Sequence, residues 1–157
     1  MAKKRRDVLE EHISSCTGEA PLCACFNIRK AARAVTQFYD DALRPSGLRT
    51  TQFSILAVTG RLGPMSVTRL AEQTVTDRTT LTRNLKLLEK QKLIQVGPGQ
   101  DRREREVTLT GRGRAALAEA YPLWKEVQSQ VARSLGPQRL DRLMSDLRAT
   151  VRATRSG

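Results

Sequence analysis

Apolar residues recur along most of this chain at the three- and four-residue spacing of a helix laid against a core. Phe26, Ala32, Val35, Tyr39 and Leu43 mark a first helix from Leu22 to Leu43, which must end before Pro45. A second is expected from about Thr51 to Arg61, with Phe53, Leu56, Ala57 and Leu62 inward and Gly63-Pro64 as its stop. Ser66 suits the N-cap of a short third helix, Val67 to Thr74, buried through Leu70 and Ala71. After a tight turn at Val75-Thr76, Asp77 caps a fourth helix whose inner stripe is Leu81, Leu85 and Leu88.

The period then changes. Leu93-Ile94-Gln95-Val96 reads as a strand, Gly97-Pro98-Gly99-Gln100-Asp101 as a turn, and Val107-Thr108-Leu109 as the return strand. Thr110 caps a long helix reaching about Ser134, with Leu117, Trp124, Val127 and Val131 on one side and Pro122 expected to kink it. Gly136-Pro137 starts a last helix with Leu140, Leu143, Met144, Leu147 and Val151 inward. Residues 1–19 form a basic, polar N-terminal arm. The fold class is therefore mainly α. Two helices across a short turn, followed by a two-stranded β hairpin, describe a winged helix-turn-helix with flanking helices.

Charge narrows the partner. The 157 residues hold 28 Lys+Arg against 16 Asp+Glu, a formal charge of +12. Residues 61–114 carry 12 basic and 6 acidic side chains, so half of that excess sits in about a third of the chain. A field of this sign attracts polyanions. Aromatic residues make up only 4%, too few for a protein that stacks single-stranded bases, and no basic helix is backed by bulky apolar residues as a membrane-surface helix would be. Double-stranded DNA is the expected partner, with no membrane partner. No apolar run approaches the roughly 18 residues of a membrane span, and Lys3-Lys4-Arg5-Arg6 lacks the apolar segment of a secretory signal, which points to a cytoplasmic location.

An enzyme is not expected. The single histidine, His12, lies in the arm, and the chain has neither a metal-binding helix pair nor a phosphate-cradling glycine loop. Cys16, Cys23 and Cys25 are odd in number and do not form a disulfide framework. On a helix Cys23 and Cys25 would point about 200° apart, so a zinc site with His12 is not expected. No metal and no cofactor is predicted.

The B-form major groove admits one helix, whose side chains read base edges as donors and acceptors. Arg78, Thr79, Thr82, Arg83 and Lys86 share one face of the fourth helix, and Ser66 joins them from the start of the third. In the hairpin, Arg102, Arg103 and Arg105 suit the negative potential of a narrow minor groove. Asp101 is expected to brace Arg103 by a charge-assisted bond. A solvated helix face and a charged loop would have similar compositions, and a non-specific architectural DNA binder remains an alternative.

The stretch Asp101-Arg102-Arg103 with Val107-Thr108-Leu109-Thr110 and Gly113 resembles the wing signature of MarR-type regulators. Leu70-Ala71-Glu72-Gln73, Leu81 to Leu85 and Glu89 to Ile94 are similar to that family's helix-turn-helix. The resemblance spans residues 20–157, with a winged core at 48–110 and dimerisation helices at 21–44, 111–134 and 137–155. It implies a homodimer on a pseudo-palindromic operator, acting as a repressor released by a small apolar or phenolic effector. Pairing two copies would also bury the apolar stripes of the last two helices.

The segment Leu22-Cys23-Ala24-Cys25-Phe26 resembles that holding the reactive cysteine in organic-hydroperoxide-sensing members of the family. It implies Cys25 as a candidate redox sensor and Tyr39 as a residue bonding its thiolate. Arg29 and Thr50 depart from the tyrosines usual there. Arg29, one turn from Cys25, would favour the thiolate. Inert packing of the cysteine is the other reading.

Overall fold

A computed structural model describes residues 10, 23–99 and 104–155. The basic arm outside residue 10, with His12 and Cys16, lies outside the described residues, as do Asp101, Arg102 and Arg103. The elements are α1 (Ala24–Leu43), a 3₁₀ turn (Arg44–Ser46), α2 (Thr50–Leu62), β1 (Met65–Ser66), α3 (Val67–Thr74), α4 (Arg78–Lys90), β2 (Ile94–Pro98), β3 (Arg105–Leu109), α5 (Gly111–Leu135) and α6 (Pro137–Arg155). The chain divides into two units, one ending at Phe38 and the other beginning at Tyr39. In the first, α1 leaves Phe26, Ile28, Val35 and Phe38 exposed, Phe26 by 48%.

The second unit owns the core. Leu43, Leu48, Phe53, Leu56, Leu70, Leu81, Leu85, Leu88, Val107 and Ala120 pack into one buried cluster. Capping fixes where its helices start: the N–H of Thr50 donates to Asp40 Oδ1 at 2.7 Å, and the N–H of Arg69 to Ser66 Oγ at 3.2 Å. The expected bounds of α3 and the leucine stripe of α4 hold as read from the sequence. Leu62 does not turn inward; on the last turn of α2, just before the chain leaves at Gly63, it stays 38% exposed.

The wing hairpin belongs to a three-stranded antiparallel sheet in the order β1-β3-β2. The two-residue β1 pairs Met65 with Val107 and Ser66 with Glu106. Gly97 and Pro98, expected in the turn, extend β2 and pair with Glu106 and Arg105. Proline fits there because β2 is an edge strand, where a missing N–H costs no ladder bond. Pro122 likewise interrupts α5 without ending it. On α6, Leu143, Met144, Leu147 and Val151 are exposed rather than inward, because nothing among the described residues covers that face.

The turn between α3 and α4 is strained. Val75 adopts φ 50°, ψ 42°, the left-handed region, so that its N–H can close α3 on the carbonyls of Ala71 and Glu72. A β-branched residue there costs on the order of 1–3 kcal/mol, against about 0.5–1 kcal/mol for the extra chain freedom of glycine. Val75 is 54% exposed and gives up little packing. Val75→Gly is therefore expected to stabilise the fold by about 1 kcal/mol, read as a higher denaturant midpoint at unchanged slope. A lower midpoint would mean that the valine side chain contributes more than its strain costs.

Candidate nucleic-acid interface

Asp77 organises the start of α4. Its Oδ1 accepts the N–H of Thr80 at 2.9 Å, and hydrogen bonding from the Thr80 side chain and then from that N–H holds the carboxyl below its ordinary range, so the negative charge sits at the positive end of the helix. With Leu81, Leu85 and Leu88 buried beneath, Arg78, Thr79, Thr82, Arg83 and Lys86 are all exposed. Arg78 Nη2 donates to Thr68 Oγ1 at 2.9 Å and ties α4 to α3. Thr82 donates its hydroxyl to the Arg78 carbonyl at 2.6 Å, which leaves its oxygen lone pairs outward as acceptors.

A groove of about 610 Å³ runs between α3, α4 and the wing. It brings together five of the residues expected to meet DNA: Ser66, Arg78, Thr82, Lys86 and Arg105. Thr79 and Arg83 stand on the same exposed helix but outside the groove lining. The groove also holds Thr68, Glu89 and Glu104, which the sequence reading did not select. Glu89 could have been found, because it lies seven positions after Thr82 and three after Lys86, on the same helix face. Arg105 Nη2 donates to the Val96 carbonyl at 3.1 Å. Asp101, Arg102 and Arg103 lie outside the described residues.

The base of the wing is clasped by the threonine and glycine of its signature. Thr110 Oγ1 accepts the N–H of Gly113 at 3.0 Å and donates to the Lys92 carbonyl at 2.8 Å, while the Thr110 N–H donates to the Leu93 carbonyl at 3.1 Å. A Cβ on Gly113 would fall 1.9 Å from that Leu93 oxygen. The signature thus encodes a close approach of α5 to the residue that precedes β2.

A second cavity, of about 540 Å³, opens between α2, the end of β3 and α5. Its wall includes Thr59, Gly60, Leu109, Arg114, Leu117 and Tyr121. Arg114 Nη1 donates to the Leu109 carbonyl at 2.9 Å. The buried Thr59 hydroxyl meets no hydrogen-bonding partner among the described residues. Tyr121 stacks on Trp124 at 5.7 Å between ring centroids, and Trp124 on Phe53 at 5.9 Å.

Cys25 and Arg29 are exposed on α1. Tyr39 donates its hydroxyl to Gln128 Oε1 at 2.6 Å, and burial pushes its phenol above the ordinary value. Cys25 and Tyr39 stand fourteen positions apart in the sequence. Among the described residues no three His, Cys, Asp or Glu side chains are grouped to hold a metal. No helix among them is long and apolar enough to cross a membrane.

Comparison with known proteins places this geometry. A sequence profile of the MarR family matches residues 46–104. The M. tuberculosis transcriptional regulator MosR, solved in complex with DNA, is 45% identical at a TM-score of 0.74, the match covering 85% of this chain and 98% of that one. BpsR of Bordetella bronchiseptica, whose DNA binding is regulated by 6-hydroxynicotinic acid, is 25% identical at a TM-score of 0.74, over 82% of this chain and 93% of that one. The HTH-type transcriptional regulator YwoH of Bacillus subtilis is 32% identical over 83 residues. That match covers 53% of this chain and spans only 61% of the length of that relative.

Proposed function

Because the chain belongs to the MarR family of DNA-binding transcriptional regulators, we propose that it acts as a homodimeric repressor on a pseudo-palindromic duplex and is released by a small effector. The observation that carries the DNA contact is the groove in which Ser66, Arg78, Thr82, Lys86 and Arg105 converge beside an exposed basic helix. In this reading α4 enters the major groove, with Arg78 and Arg83 reaching base edges or phosphates and the threonines contacting thymine methyls and phosphate oxygens. Arg102 and Arg103 extend the contact to the minor groove, with Asp101 bracing Arg103. The uncovered apolar stripe of α6 supports pairing of two copies, which would set two recognition helices about 34–36 Å apart. The cavity beneath Tyr121 supports an apolar or phenolic effector. Its volume lies within the range of small-molecule pockets, and its walls join the base of the wing to α5.

The test is selection of duplexes from a random-sequence library by the purified protein. The expected product is two inverted half-sites about one helical turn apart, bound on the order of 10³-fold more tightly than random DNA at physiological salt. Arg83→Ala and Arg103→Ala should each weaken binding of that duplex about tenfold or more without lowering thermal stability, as measured by gel shift and melting. A library from which nothing is enriched would favour an architectural binder over a repressor.

A further inference from the structure

The wing must meet the duplex at a set angle to the recognition helix, and an edge strand is a weak hinge for doing so. β2 is the outer strand of the sheet. Its inward pairing falls on every second residue counted back from Gly99, whose N–H bonds the Glu104 carbonyl at 2.9 Å, so Val96, at an intervening position, turns its peptide groups outward. Both are taken by side chains. Glu89 Oε1, on the last turn of α4, accepts the Val96 N–H at 3.3 Å, and Arg105 donates to the Val96 carbonyl at 3.1 Å. Val96 is thus held from the recognition helix on one side and from the partner strand on the other. Every residue of strand beyond it lengthens the lever by about 3.4 Å.

We propose that Glu89 is the positioning residue of the wing. By accepting the outward N–H of Val96 it locks β2 to the end of the recognition helix, and so sets the angle at which the wing meets the flanking minor groove. The proposal rests on the reading of this face as the DNA-binding surface. Glu89 is a poor DNA contact in its own right, because its carboxylate lines the same groove as Lys86 and Arg105 and repels phosphate. That gives the proposal an unusual sign. Removing the charge alone should strengthen DNA binding, whereas removing the acceptor should weaken it.

The experiment compares Glu89→Gln, which keeps an acceptor oxygen and loses the charge, with Glu89→Ala and the longer Glu89→Met, which lose both. The readouts are hydrogen exchange at the Val96 amide, hydroxyl-radical footprints on the duplex recovered by selection, affinity, and melting temperature. Glu89→Gln should keep Val96 protected, keep the flanking footprint, and bind as tightly as wild type or more so. Glu89→Ala and Glu89→Met should expose Val96, lose the flanks but not the central protection, and bind about tenfold more weakly at a nearly unchanged melting temperature. Full flanks in both apolar variants, or a glutamine variant that behaves like them, would overturn the role of Glu89. A wild-type chain that prefers no duplex would instead overturn the repressor reading itself, and this proposal with it.

Discussion

Replacing Gly113 by alanine is expected to destabilise the fold by about 3 kcal/mol or more. The added carbon would lie 1.9 Å from the Leu93 carbonyl oxygen and 2.9 Å from Leu109 Cδ1, well inside contact distance. The oxygen is not free to swing away, because it already accepts the N–H of Thr110 at 3.1 Å. Relief therefore requires α5 to lift from the start of the wing, breaking the cap at Thr110 and loosening the core around Leu93 and Leu109. Denaturant unfolding would measure the loss. A variant within about 0.5 kcal/mol of wild type, the size of an ordinary surface change, would show that α5 is not docked this closely.

Leu147→Asp should leave the single chain folded and abolish its pairing. Leu147 is 38% exposed in the middle of the stripe formed by Leu143, Met144, Leu147 and Val151, so aspartate there disturbs no core. In a paired molecule the same carboxylate would be buried against apolar partners at a cost of several kcal/mol. Sedimentation is expected to give the mass of one chain. Affinity for the two-half-site duplex should fall about 100-fold or more, because the second half-site is no longer delivered at high effective concentration. A variant that still sediments as a pair would place the dimer face elsewhere on the chain.

What could be read in advance followed the physics of each segment. α3 and α4 were legible because each has a side-chain cap, Ser66 and Asp77, directly before an apolar stripe. The strand β1 was not, since two residues cannot show a period; Met65 and Ser66 extend only because Val107 and Glu106 stand opposite. The strand character of Gly97-Pro98 was hidden by turn chemistry that an edge position tolerates. The stripe of α6 is legible in the sequence but its direction is not, because periodicity shows which residues share a face and not what lies against it. At the candidate interface the cationic and threonine residues announced themselves by type. Glu89 and Thr68 did not, as their roles come from a backbone N–H and a guanidinium brought close only by folding.

Trp124 is the chain's single tryptophan, and it lies between Phe53 in the core and Tyr121 on the cavity wall. The molecule thus carries a built-in fluorophore one ring removed from the space where a small effector would lodge. Occupancy of that space can be followed by emission from the unlabelled protein, separately from any event on DNA.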